Sequence, residues 1–251
     1  MIIQSNETKQ RYFTQMEAPS QDIFKKQYVA NSLEQALAEQ YCQHHHHKLS
    51  NDHKVMDKLK KIGLSNYALV DRFGLGYVDR SFLKTLPHRD SFEGTSERGR
   101  LQRLGLLTRV SRGIFHGSII FPLYYDIYYR VIGIYGYWVN PRKGHAYEHS
   151  TFWCSEGLGI FNQQSFDAYK DLIVCHSPRD ACQLIEAGYE NTVAILGNGE
   201  NEEQFYELFR HQPTESVALA PGETESDELW KVQLTMALQS LNIEVRTFTN
   251  A

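Results

Sequence analysis

Apolar positions recur at helical spacing through the amino-terminal part of the chain. They merge into continuous runs near the middle and then alternate between strand-like and helix-like stretches to the end. Residues 1–30 are polar and weakly patterned and predict a loose arm. From Asn31 a helix is expected, with Ser32 as candidate N-cap and Leu33, Ala36, Leu37 and Tyr41 on one face. Val55, Leu59 and Ile62 predict a second helix ending at Gly63, and Leu64-Ser65-Asn66 opens a third through Ala68, Leu69 and Val70. A polar, turn-rich segment at 87–97 predicts a loop, followed by a helix over 98–107. Two β-rich runs, 115–123 and 130–138, predict a hairpin across 124–129.

Beyond residue 166 the alternation is regular. Strands are expected at 172–175, 192–196, 217–220 and 243–247, with helices at 180–187, 202–209 and 227–241 between them. Such alternation predicts a mainly parallel sheet covered by helices. The fold class is α/β, with a helical amino-terminal region and a β hairpin packed on that sheet. The expected parts are an arm over 1–30, a subdomain over 31–165 and a second over 166–251.

Composition narrows the class. With 251 residues, 41% of them hydrophobic and 22% charged, the chain can bury a core and is not of the disordered type. No apolar run approaches the roughly 20 residues of a membrane span, and the first residues lack a signal-peptide pattern, so the cytoplasm is the expected location. Cys42, Cys154, Cys175 and Cys182 show no CxxC pair. Cys175 and Cys182 are therefore expected as reduced core thiols rather than zinc ligands. The formal net charge of −4 gives no global nucleic-acid signature, which leaves local basic clusters to carry one.

The candidate chemistry lies at strand ends. In 171–181 an apolar run passes through His176 and Ser177 into Pro178-Arg179-Asp180-Ala181, a strand, a tight turn and a helix start. Residues 217–223 repeat the arrangement and end in Pro221-Gly222-Glu223, with Glu225 and Asp227 beyond. In α/β proteins such strand ends hold functional groups. Arg98, Arg100, Arg103, Arg109 and Arg112 form a basic stretch able to follow a phosphate backbone or to serve as a solvated helix face. Tyr124, Tyr125, Tyr128 and Tyr129 offer stacking surfaces for bases, or edge-strand packing. His44-His45-His46-His47 reads either as a chelator of a divalent metal or as a solvated helix end.

Six segments in order resemble the catalytic core of bacterial and mobile-element DNA primases. They are IGLSNYALVDRFGLGYV (62–78), GRLQRLGLL (99–107), GSIIFPLYYDIYYRVIGIYGYW (117–138), GLGIFN (157–162), SPRDA (177–181) and AGYENTVAILGNG (187–199). The resemblance covers about residues 30–250 and implies that residues 166–251 form a TOPRIM unit, the metal-binding fold of primases and topoisomerases. It does not extend to the family's zinc-binding domain.

The resemblance also implies where chemistry is missing. The family holds two divalent cations with a Glu at the first strand end and an Asp-x-Asp pair at the second, because phosphoryl transfer needs both reacting oxygens neutralised. Here His176 matches the Glu and Pro221 the first Asp, leaving Glu223 in step. Imidazole is a poor magnesium ligand and proline offers none. The hairpin's phosphate-binding arginines are matched by His116, Ser118 and Tyr137, and His145 stands where a Lys is usual.

Three readings follow. One is a catalytically degenerate primase-like protein of DNA replication or a mobile element, binding single-stranded DNA or RNA, or replication or mobile-element proteins. Another is an active nucleotidyltransferase using magnesium or manganese on Glu223, Glu225, Asp227 and Asp180. The last is an anionic small-molecule site at the His176–Ser177 helix start.

Overall fold

The computed structural model describes residues 32–125, 130–139, 150–154, 159–196, 202–221 and 225–249. Two sheets organise them. The first runs in the order β1 (Gly76–Tyr77), β2 (Ser118–Tyr125), β3 (Arg130–Trp138) and β4 (Ser150–Cys154), all antiparallel. The second is β5 (Gly159–Phe161), β7 (Thr192–Leu196), β6 (Asp171–Cys175), β8 (Ser216–Leu219) and β9 (Glu244–Thr247). Only its edge strand β5 is antiparallel; the remaining pairs are parallel, as the alternation predicts.

Helices before the first sheet are α1 (Ser32–Ser50), α2 (His53–Lys61) and α3 (Ala68–Phe73), with α4 (Phe82–Thr85) and α5 (Phe92–Arg103) between β1 and β2. Helix α2 ends as its glycine predicts: Gly63 sits at φ +80, and the Leu64 and Gly63 amides close back on Leu59 and Lys60. Two expectations shift. Ser32 is already helical, and α1 turns Ala38, Tyr41, Cys42 and Leu49 inward while Leu33 and Ala36 stay exposed. The buried face carries Glu34, which Arg103 pairs from α5 at 2.9 Å, so an ion pair helps set the phase of this helix.

The second shift concerns 87–97 and the helix expected after it. Helix α5 begins at Phe92, where the Ser91 hydroxyl accepts the Gly94 amide, and it ends at Arg103. Gly94 hides the helix from a propensity reading, yet a Cβ there would meet the His88 carbonyl oxygen at 2.1 Å. The glycine is a close-packing position inside a helix.

Both faces of the first sheet are covered. Ile120, Val131 and Ile134 pack with Leu37, Ala38, Tyr41 and Leu101, while Ile119, Phe121 and Leu123 pack with Phe161, Cys175, Ala194 and Leu196 from the other half. This double burial is why the strands read as apolar runs without alternation. A register shift between Leu123 and Tyr124 leaves Ile132 as an extra residue on β3 and changes which side chains face which layer.

The second sheet alternates strictly. Leu172, Val174, Val193 and Ile195 face a core with α8 (Glu202–Phe209) and α9 (Glu225–Ser240), while Cys175, Ala194 and Leu196 face the first half. Two short elements complete the list: α6 (Ser165–Ala168) and α7 (Pro178–Glu186), the latter wedged between halves by Ala181, Cys182 and Ile185. Polar straps reinforce the junction: Arg72 pairs with Glu190 at 2.6 Å and the Ser65 amide donates to Glu186 at 3.1 Å. No helix among the described residues is long and apolar enough to cross a membrane.

Candidate functional site

Strand β6 delivers the site. Cys175 closes the strand, fully buried, and contacts the Ser177 and Val193 carbonyls through its Sγ. Burial pushes the Cys175, Cys182 and Cys42 thiols up, and all three are free, as expected for core thiols. The chain then turns: Ser177 caps α7 by accepting the Asp180 amide, and Pro178 occupies the first helical turn, where its missing N–H costs nothing. His176, half-buried, lays its ring 5.3 Å from the ring of Trp230 on α9.

The first sheet reaches into this turn. Tyr135 and Tyr137 stand two apart on β3 and project to one side. The Tyr135 hydroxyl donates to Ser177 Oγ at 3.4 Å, and Arg179 Nη1 donates to the Tyr137 hydroxyl at 2.8 Å, its guanidinium lying 4.8 Å from the ring centroid. Arg179 also grips Asp180 through Nε at 2.8 Å and Nη2 at 2.6 Å. Sequence reasoning placed Asp180 at the site but passed over Arg179, Tyr135 and Trp230. Arg179 was within reach, standing inside the strand–turn–helix stretch; the tyrosine contacts depend on how the two sheets pack.

His176 gives an imidazole, Asp180 is held by Arg179, and Pro221 is exposed with no side-chain ligand. Gly222 and Glu223 lie outside the described residues. Glu225 and Asp227 fall in the first turn of α9, and their side chains also lie outside the description. Among the described residues, the strand ends bring no three potential metal ligands within mutual reach.

The basic stretch divides in two. Arg98 donates to the carbonyls of Pro87 (2.8 Å), Gly94 (3.1 Å) and Leu83 (3.4 Å), fastening α5 to the turn before it. Arg103 holds the buried Glu34. Arg100 is half-buried in the last turn of α5, and Arg109 and Arg112 are exposed in the tight turn that follows, where the Thr108 amide donates to the Arg112 carbonyl at 2.8 Å. Tyr124 is half-buried on β2; the side chain of Tyr125, together with Tyr128, Tyr129 and His145, falls outside the described residues.

No family model matches the sequence, and no curated protein matches it. Solved structures do. The Aquifex aeolicus primase, comprising zinc-binding and RNA polymerase domains, superposes with a TM-score of 0.66 at 19% identity, covering 84% of this chain and 53% of that one. The fold is that of a primase catalytic core. The DnaG catalytic core gives a TM-score of 0.66 at 18% identity over 85% of this chain and 71% of that one. A DnaG primase catalytic domain bound to single-stranded DNA gives 0.63 at 18% identity over 82% and 68%. The chain thus spans about half the length of the Aquifex structure it matches.

Proposed function

We propose that this chain is a primase-like protein of DNA replication or of a mobile element that no longer makes primers and acts by binding single-stranded nucleic acid. The observation that carries the reading is the state of Asp180. It is the described carboxylate nearest the first strand end, and Arg179 holds it through two short charge-assisted contacts. A carboxylate already paired with its neighbour, beside an imidazole and a proline, would have to exchange Arg179 for a cation to serve a two-metal site. In this reading 31–165 and 166–251 act as two subdomains joined through α7, the second a TOPRIM unit. The free, buried thiols suit the reducing cytoplasm.

Binding falls to the cations left over from structural work. Arg98 and Arg103 are engaged within the protein, which makes Arg100, Arg109 and Arg112 the candidates for phosphate contact, with Tyr124 and its hairpin neighbours as stacking surfaces. The primase domain solved with single-stranded DNA lends this class of ligand support.

Fluorescence anisotropy with a labelled single-stranded oligonucleotide tests it. Binding should be weak and salt-sensitive, and replacing Arg100, Arg109 and Arg112 with Ala should make the slope of log K against log salt less negative by about 2. Absence of binding at low salt would remove nucleic acid and make a replication or mobile-element protein the better partner.

A further inference from the structure

The four-histidine run lies inside α1 and reaches its last turn at His47, and its members separate by exposure. His47 is exposed. His46 is half-buried, its Nδ1 bonded to the Leu75 carbonyl at 2.9 Å. His45 is fully buried between Tyr41, 4.6 Å away between ring centroids, and Phe82 at 5.9 Å, and neither of its ring nitrogens has a well-formed hydrogen bond. Such a group is rare in a folded interior, because its nitrogens lose water for no more than a poorly aligned contact with the Tyr77 backbone. Gly76 makes the arrangement possible: a Cβ there would meet the His45 carbonyl carbon at 2.8 Å, so β1 packs directly on this turn of α1.

Two further donors converge on the same place. His44, half-buried, has its ring 5.1 Å from that of His45, and its Nε2 lies 2.7 Å from the Ser81 hydroxyl. That hydroxyl in turn donates to Asp79, in the turn between β1 and α4, and Asp79 also accepts the Ser81 amide at 2.7 Å. One donor atom from each of His44, His45 and Asp79 lies within 4.8 Å of the others, and no other such group occurs among the described residues.

We propose that His44, His45 and Asp79 form a site for a divalent metal of borderline softness, zinc in the first instance, with the Ser81 hydroxyl or water as fourth ligand. Two imidazoles and one carboxylate suit zinc, whereas magnesium demands an oxygen shell. Zinc bonds of about 2.0–2.2 Å put tetrahedral donors roughly 3.3 Å apart. The present separations therefore close by about 1.5 Å at most, through rotation of the half-exposed His44 and Asp79 towards the fixed His45.

Lys48, 3.9 Å from Asp79, lies 3.8 Å from Asp52 and has that carboxylate to turn to when a cation arrives. Bound metal would tie α1 to the β1–α4 turn, far in sequence from the strand ends and independent of any primase chemistry.

Zinc titration of the chelator-treated full chain, by calorimetry against a competing chelator, tests the site, with cobalt(II) absorption as a second readout. The expected result is one equivalent of zinc, a tetrahedral cobalt spectrum and a raised melting temperature. Asp79→Asn and His44→Gln, both at the margin of the core, should each weaken zinc binding about tenfold or more, while His47→Gln leaves it unchanged. Absence of competitive zinc binding, equal affinity in Asp79→Asn and the parent, or loss on His47→Gln with Asp79→Asn intact would each overturn the proposal. The last of these would assign the metal to the exposed side of the histidine run.

Discussion

At the end of β6 the polar side chains answer one another. Arg179 takes both Asp180 and Tyr137, and Ser177 takes Tyr135 and the Asp180 amide. Beneath α1 the fully buried His45 has no well-formed hydrogen bond at either ring nitrogen, and Glu34 pairs with a guanidinium that is itself half in solvent. At the strand end the polar groups satisfy one another. Beneath the helix a buried imidazole lies beside two half-exposed donors. Fuller internal pairing at one place and a poorly bonded buried ring at the other indicate where a ligand would gain most.

The largest expected effect lies on the helical side. Arg103→Ala removes an ionic partner of a fully buried carboxylate, and urea unfolding should show a loss of about 2–3 kcal/mol. Adding Glu34→Met should restore most of it, and Arg112→Ala should stay within about 0.5 kcal/mol. A null result for Arg103→Ala would mean that Glu34 is satisfied without the arginine.

Acid should act through His45. The folded chain keeps this ring neutral down to about pH 3, while an unfolded chain protonates it near pH 6.5. Between those values the unfolded state binds more protons, so stability falls as pH falls. For metal-free protein the expected loss between pH 7 and pH 5 is about 2 kcal/mol, with His44 shifted in the same direction. His45→Leu should flatten the slope. A parent protein equally stable at both pH values would show that His45 is solvated or bonded in solution.

Much of this contrast was hidden in the sequence, for physical reasons. The parallel sheet was legible almost strand by strand, because each strand is a short apolar run bounded by turn residues and followed by an amphipathic helix. The first sheet was legible only in part: β2 and β3 stood out as apolar runs, whereas β1 and β4 carry no pattern of their own. Glu34 and Arg103 stand 69 positions apart, and Asp79 joins His44 only because Gly76 lets β1 press against α1. The histidine run announced possible chelation, but no local signal showed that His45 faces inward. At the strand end, the proline and imidazole were legible; the capture of Asp180 by Arg179, braced by Tyr137, was not.

A smaller effect sharpens the strand-end side. Tyr137→Phe deletes the hydroxyl that accepts from Arg179 and should cost about 1 kcal/mol in unfolding free energy. The Asp180 pairing should survive, since both of its contacts come from Arg179 itself.

Primer synthesis is the direct measure of the central claim, that the primase scaffold is kept and its chemistry is not. The assay supplies a single-stranded template, labelled nucleotides and either magnesium or manganese. The expected result is no product with either metal from protein that binds the template. A product abolished by Glu223→Gln would contradict the claim and make the chain a nucleotidyltransferase with unusual ligands.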